Sequence, residues 1–418
     1  MNHNFELPGS YKKWTYGLII AGVLAVLYGF IMLHPFEHGG HHGENTGSTR
    51  FWAVLLQNSV YWLLTVNASM FFLCVTTMAM GGWQIAFRRV TEAISSVVPI
   101  LGVLTLIILM AIVWGGRTDI YHWLDKDAVA HDTILKGKSG FLNANFFTIW
   151  SVISVGLWWL LGRKMRSMSL ETDKNGQMDY ETGKKWIWKN TVWASLYTIV
   201  FTLTVASTIP WLWLMSIDAH WYSTMYSWYT FASTFVSGVS LIALFVIYLK
   251  NRNELPYVTE EHLHDLGKFM FAFSVFWTYL WFSQFMLIWY ANIPEETVYF
   301  QPRAHGVYKG IFWLMFIINF IAPLLLLMTR DAKRNYGTIT FMAIMIIFGH
   351  WLDFYQMVFP SVMKDSTGAT HVPNILYDMG VALGFVGLIM FVTGRALSKA
   401  PLLAKNHPFV KESLIHHT

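Results

Sequence analysis

Apolar residues in this chain come in long unbroken runs, without the period-two alternation or narrow helical stripe of a soluble domain. Runs of about 20 residues, enough to cross a bilayer as a helix, begin near Trp14, Phe51, Ile94, Phe141, Thr191, Trp221, Gly267, Lys309, Ile339 and Leu376. A polar or Gly/Pro-marked break separates each run from the next. The pattern predicts an all-α, polytopic integral membrane protein with ten transmembrane helices. The first run continues to Leu33, longer than the apolar core of a signal peptide. It reads as an uncleaved anchor in spite of its basic flank, Lys12 and Lys13.

Composition agrees with the pattern. Charged residues make up 13% of the chain and hydrophobic ones 55%, whereas a soluble domain carries about 25% charged residues. The basic residues also orient the helices. Eight of the 29 lysines and arginines, namely Arg50, Arg117, Lys126, Lys136, Lys138, Arg303, Lys309 and Lys364, fall in every second connection; the other 21 lie in the tails and the remaining connections. Because basic residues concentrate on the cytoplasmic side, this split predicts that both termini are inside. It also accounts for the net charge of +5, so no nucleic-acid partner is needed to explain it. The expected partner of the surface is the lipid bilayer.

The chain divides into four parts: residues 1–50, with the first helix and an outer His/Gly loop; 51–216 and 217–360, four helices each; and 361–418, with the last helix and a cytoplasmic tail. Shifted by 165 positions, "SVYWLLTVNAS" meets "TMYSWYTFAST", pairing Tyr61 with Tyr226 and Thr65 with Thr230. Helices two to five and six to nine therefore read as two four-helix bundles in parallel orientation, with helices one and ten peripheral. Two long polar loops, 163–185 inside and 115–140 outside, are mixed in charge and suit docking of other proteins.

Redox cofactors have no ligands here. Cys74 is the one cysteine, so there is neither a c-type haem motif nor a thiolate set for an iron–sulfur cluster. Among sixteen histidines only His350 falls well inside a span, and bis-histidine haem ligation needs two facing each other. The loop "HPFEHGGHHGENTG" gathers His34, His38, His41 and His42, but its glycines fix no ligand geometry, and it reads as a polar loop. No phosphate-binding glycine motif is present. Most tryptophans, such as Trp14, Trp52, Trp114, Trp186, Trp188 and Trp289, fall at helix ends, where indoles anchor to the membrane interface.

The ninth run contains the chemistry. In "IIFGHWLDFYQ", His350 and Asp353 are three residues apart and share a helix face, with Gln356 following. At about 1.5 Å per residue, His350 lies ~16 Å from the inner edge and Asp353 ~5 Å further out. Asp218 and Asp378 sit at outer helix ends. Asn67, Gln284 and Asn319 read as helix–helix contacts, and Thr198, Thr202, Thr204, Ser207 and Thr208 form a hydroxyl ladder before Pro210. On the inner side, "EEHLHDLGK" places His264 and Asp265 at a polar mouth. Ionisable groups within a bilayer are costly and functional by default. Two readings stay open: a proton path from the outer surface to His350, or a hydrogen-bonded clamp between helices.

Three stretches together resemble a known family: "SIDAHWYSTMYSWY" (216–229), "WYANIPEETVYF" (289–300) and "FGHWLDFY" (348–355). They are similar to the ActF subunit of bacterial alternative complex III, a quinol:cytochrome c oxidoreductase, and to its relatives, the ActC subunit and the NrfD/PsrC-type membrane anchors. The resemblance runs over essentially all ten helices. It implies a bacterial inner-membrane subunit without cofactors of its own, helping to move protons. Its implied partners are an ActC-like sister, an iron–sulfur subunit, c-haem subunits and, in some assemblies, a terminal oxidase. Menaquinol would be the substrate of the complex. Asp218, His350, Asp353, Glu295 and Glu296 match positions that recur in the family. A rival within the same complex makes this the quinol-binding subunit, with Asp218 or His220 as proton acceptor at the outer face. A rival of another class is a proton-coupled secondary transporter, but Pro99, Pro210 and Pro323 do not pair at the 165 offset, as broken transporter helices would.

Two measurements check these expectations. A topology reporter fused after Asn175 reads cytoplasmic and one fused within 125–135 reads external; the reverse pair overturns the helix count. The purified single chain shows no Soret band and only background iron, and stoichiometric haem in it would place redox centres where the sequence has no ligands.

Overall fold

The computed structural model describes residues 5–36, 46–364 and 371–417. His38, His41 and His42 of the outer loop lie outside them. Ten helices among the described residues are long and apolar enough to cross a membrane: α1 Gly9–Met32, α2 Gly47–Met78, α3 Gly82–Trp114, α4 Ala144–Lys174, α5 Tyr180–Trp213, α6 Met225–Asn251, α7 Glu260–Ala291, α8 Gly306–Leu326, α9 Tyr336–Val362 and α10 Ile375–Leu397. Every run expected from the sequence corresponds to one of them. Both chain ends approach one side of the bundle, called here the terminal face; the opposite side is the distal face.

Burial differs sharply among the helices. The apolar stretch of α2 is 83% buried and that of α6 89%, against 17% for α1, so α2 and α6 form the centre and α1 the edge. Gly238 of α6 makes their close approach workable, since a Cβ there would meet the backbone of Thr65 on α2 at 2.9 Å. Around this pair α2 packs on α3 and α5, α3 on α4, and α4 on α5; α6 packs on α7 and α9, and α9 on α8. The most extensive contact is between α1 and α10.

Prolines set the irregularities. A proline has no N–H for the carbonyl four residues earlier. One-turn π segments, Thr204–Thr208 and Ile317–Ile321, directly precede the turns containing Pro210 and Pro323. In α3 the break at Ser96 and Val97 comes just before Pro99. The hydroxyl ladder of α5 serves its own helix: Thr198 donates to Ala194 O, Thr202 to Thr198 O and Thr204 to Val200 O. Thr204 and Thr208 also accept the indole N–H groups of Trp158 and Trp150 on α4.

In the long distal loop the aspartates act first as helix caps. Asp125 accepts from the N–H groups of Asp127 and Ala128, and Asp132 from those of Ile134 and Leu135, opening the short helices Lys126–His131 and Thr133–Lys138. On the terminal face Lys333 donates to Leu327, Met328 and Thr329 O, closing α8. Burial holds that ammonium below its ordinary pKa. The C-terminal tail is stapled to the same face through Ser413 Oγ, which donates to Trp83 O and accepts from Ala86 N.

Candidate functional site

His350 and Asp353 are fully buried in α9, and one turn of helix brings His350 Nδ1 to 3.5 Å from Asp353 Oδ2. Both carboxylate oxygens take a hydrogen bond from a neighbouring helix. Tyr229 of α6 donates its hydroxyl to Oδ1, and Trp277 of α7 donates Nε1–H to Oδ2 at 3.0 Å. Ser233, one turn along α6 from Tyr229, lies 3.0 Å from His350 Nδ1, and the Trp277 ring meets the imidazole edge-on at 5.2 Å. A turn further, Ser237 lies 3.2 Å from the hydroxyl of Tyr61, which donates to Ile347 O. Three helices therefore converge on one buried acid and one buried imidazole.

The two donors differ in what they can pass on. A tyrosine hydroxyl both donates and accepts, whereas an indole N–H only donates. A proton leaving Asp353 toward the distal face can use Tyr229 and cannot use Trp277. Tyr229 also lines a cavity of about 20 Å³ shared with Gln284, Tyr299, Arg303 and Gln356, room for one water. Gln284 Nε2 and Gln356 Oε1 are buried there with no hydrogen-bond partner among the described residues. Beyond the cavity stands Arg303, 3% exposed, its guanidinium 3.4 Å from the Tyr299 ring centroid.

Arg303 is placed by a proline. Pro360 inside α9 leaves Gln356 O without its helical donor, and Arg303 Nε fills the gap at 2.7 Å. Its Nη2 reaches Met357 O at 3.1 Å and Ser361 Oγ at 2.7 Å. The same nitrogen is 3.3 Å from Asp218 Oδ2, to which Ser361 also donates. Asp218 is partly exposed, so the polar series runs from Asp353 through Tyr229, the cavity and Arg303 to the distal surface. Burial holds the Tyr299 hydroxyl above its ordinary pKa, partly offset by Arg303 beside it.

The remaining residues singled out from the sequence sit apart from this series. Asp378 is fully buried but belongs to a second cluster, receiving Arg50 Nη2 from α2 and the Tyr355 hydroxyl from α9, both at 2.8 Å. Tyr355 is two residues past Asp353, roughly 200° around the helix, so the two acids face different neighbours. His220 pairs with Asp132 at 2.5 Å; that bond and the Leu135 N–H hold the Asp132 carboxyl below the usual range. Glu295 and Glu296 lie in the short distal helix Pro294–Thr297 and form no ion pair among the described residues. At the terminal face α7 starts earlier than Gly267, the start expected from the sequence, which brings His262 and His264 into the helix. Asp265 there is held by Lys268 at 2.5 Å and His416 at 2.7 Å. Between Asp265 and His350 the packing is mainly apolar: Phe269, Met270 and Phe273 on α7, Phe235 on α6, and Met342 and Ile346 on α9, all but Phe269 and Phe273 fully buried, with the buried hydroxyls of Ser240 and Ser274 among them. Phe235 and Phe273 approach to 4.2 Å between ring centroids.

Among the three amides expected to clamp helices, Asn67 does so, accepting from the Tyr197 hydroxyl at 2.6 Å. Asn319, on the π turn of α8, lies against Gly349. Gln284 lines the cavity instead. Tyr229, Ser233 and Trp277 were not foreseen. The first two stand four residues apart, with Ser237 four further on, and that polar stripe in an apolar helix is the signal that could have found them. Arg303 was counted only for its charge. No protein-family model matches the chain, and no curated protein matches it.

Replacing Arg303 by Leu strips donors from four acceptors, Gln356 O, Tyr299 O, Met357 O and Ser361 Oγ, and leaves Asp218 facing an apolar side chain. A cost of about 3 kcal/mol or more is expected, read as a lower midpoint of thermal unfolding in detergent. Arg303→Lys, with one point charge in place of a planar fork, recovers less than half of it. Full recovery by lysine would reduce Arg303 to a generic charge.

Proposed function

We propose that this chain is a cofactor-free membrane subunit of a respiratory quinol:cytochrome c oxidoreductase that moves protons between the membrane centre and the distal face. The observation that carries the proton part is the buried His350–Asp353 pair, joined through Tyr229 to a polar cavity and to Asp218. In this reading the terminal face, which bears 21 of the 29 lysines and arginines, is cytoplasmic, and α2–α5 and α6–α9 are the two four-helix bundles. The respiratory part rests on the resemblance of the Asp218, Glu295 and His350 stretches to the ActF subunit of alternative complex III. It brings with it an ActC-like sister, iron–sulfur and c-haem subunits as the electron carriers, and the bacterial inner membrane as the location.

Mechanistically, Asp353 and His350, 3.5 Å apart, serve as one proton-holding pair. A proton held on the pair leaves through Tyr229, which gives its own hydroxyl proton toward the cavity as it takes the next. Gln284 and Gln356 offer a donor and an acceptor to a water in between. Arg303 is a fixed positive charge at the exit; it keeps Asp218 positioned and opposes an excess proton resting in the cavity. The mainly apolar packing toward Asp265 separates the pair from the terminal face.

One feature supports quinol binding by this same chain. A distal cleft of about 420 Å³ is walled by Phe141, Trp211, Trp221 and Tyr222, and the indole N–H groups of Trp211 and Trp221 are buried without a partner among the described residues. A ring with carbonyl oxygens suits such donors. Asp218 and His220 adjoin it in sequence.

The test is the complex isolated through a tag on this chain, which carries haem c and iron–sulfur subunits, reconstituted in vesicles. Asp353→Asn keeps the complex assembled and turning over while protons released per electron fall. Tyr229→Phe, which keeps the ring and removes the relay, lowers them as well. His350→Leu is the harsher change, and lost assembly there points to a clamp. Unchanged proton stoichiometry in a fully assembled Asp353→Asn complex returns the pair to a structural role.

A further inference from the structure

We propose that the cleft between α1 and α10 at the terminal face binds the phosphate headgroup of an anionic phospholipid, whose acyl chains run along the outer surface of α1. The inference needs only that these helices cross a membrane, and stands whichever face is cytoplasmic and whether or not protons move through α9.

Lys12, Thr15 and Tyr16 lie at i, i+3 and i+4 of α1 and so share one face; Phe391 and Arg395 do the same on α10. Together they line a cleft of about 210 Å³. Tyr16 and Phe391 approach to 6.1 Å between ring centroids, and the Arg395 guanidinium lies 5.5 Å over the Phe391 ring. Lys12 and Arg395 are exposed and form no ion pair among the described residues. No acidic residue lines the cleft. Two cations thus line one cleft with no acidic partner among the described residues, and an anion there supplies the missing counter-charge.

The hydroxyl of Thr15 adds a second, independent observation. Thr15 is only 2% exposed, and its Oγ1 has no partner among the described residues. A buried helical threonine can donate to the carbonyl four residues back, as Thr230 and Thr234 do here. Thr15 lines the cleft with its donor unspent, where a phosphate oxygen would take it. Tyr11, next to it, is already committed to Met390 O at 2.6 Å.

The shape selects the occupant. The cleft is smaller than the roughly 300 Å³ at which pockets for drug-sized ligands begin, so it takes a headgroup and not a whole lipid. Above it α1 presents Ile20, Val23, Leu24, Leu27 and Ile31, each at least half exposed, an apolar track leading from the cleft into the hydrocarbon layer. Basic side chains at the membrane surface, set at the ends of two spans, are where anionic headgroups are held.

The full chain, purified in neutral detergent and stripped of lipid, is offered phosphatidylglycerol, phosphatidylcholine or inorganic phosphate. Bound lipid is read by native mass spectrometry and the unfolding midpoint by thermal shift. Phosphatidylglycerol binds and raises the midpoint, while phosphatidylcholine and phosphate do neither. The double variant Lys12→Gln/Arg395→Gln binds phosphatidylglycerol on the order of tenfold more weakly, with its lipid-free midpoint unchanged. Thr15→Val, with both charges kept, weakens it by a smaller factor. Equal retention of both lipids, protection by phosphate alone, or full binding by the double variant each overturns the proposal.

Discussion

A carboxylate at the middle of a membrane span must find its hydrogen-bond donors inside the protein, because the surrounding hydrocarbon offers none. Asp353 finds one on α6 and one on α7. This single requirement fixes how three helices meet. The rotation of α9 is set so that His350 and Asp353 face α6, the rotation of α6 so that Tyr229, Ser233 and Ser237 face α9, and the rotation of α7 so that Trp277 reaches between them. Leaving one of these donors out would strand a buried oxygen at a cost of about 1–3 kcal/mol. Removing the acid would strand two donors at once.

The two halves of this bundle solve the same solvation problem in opposite ways. Toward the distal face it is solved with polar groups: a tyrosine, two glutamines and an arginine around one small cavity, and an acid beyond the arginine. Toward the terminal face the phenylalanines Phe235, Phe269 and Phe273 fill the space, and the first ionisable groups, Asp265 and His416, satisfy one another at the surface. Proton transfer needs groups that accept as well as donate. On the distal side of His350 they lead toward the surface, whereas on the other side the hydroxyls of Ser237 and Tyr61 give way to phenylalanines.

How much of this could be read from the sequence follows from the range over which each feature acts. Spans, kinks and caps are local: about 20 apolar residues make a helix wherever they occur, and Pro210 and Pro323 disturb α5 and α8 without help from elsewhere. His350 and Asp353 were legible because they lie three residues apart in a greasy run. Their partners were not, since Tyr229 and Trp277 stand 124 and 76 residues before Asp353, and nothing local says that these aromatics, among the many at helix ends, face an acid. The same limit separates Asp378 from the site. Hydropathy placed it at the correct depth, but depth says nothing of angle around the helix. Arg303 was hidden for a different reason: it sits in a loop whose charge seemed to matter only for orientation.

Arg303 also shows why clamp and conductor are not exclusive descriptions. Its hydrogen bonds to Gln356 O and Met357 O repair a helix that Pro360 has opened, which is structural work. The opening in turn puts a fixed charge beside the cavity that Tyr229 enters. A helix without Pro360 would bond its own carbonyls and have no use for a buried guanidinium at that depth; a buried guanidinium without Asp218 and those carbonyls would be too costly to keep. Each feature makes the next tolerable. The chain of dependence runs outward from α9 to Arg303, then to Asp218 and the distal surface, along the same line as the polar series that begins at Asp353. A clamp of α9 alone would be complete with Tyr229, Ser233 and Trp277. The additional polar groups between Tyr229 and the surface, with two glutamine amide atoms lacking partners among the described residues, go beyond what a clamp of α9 requires.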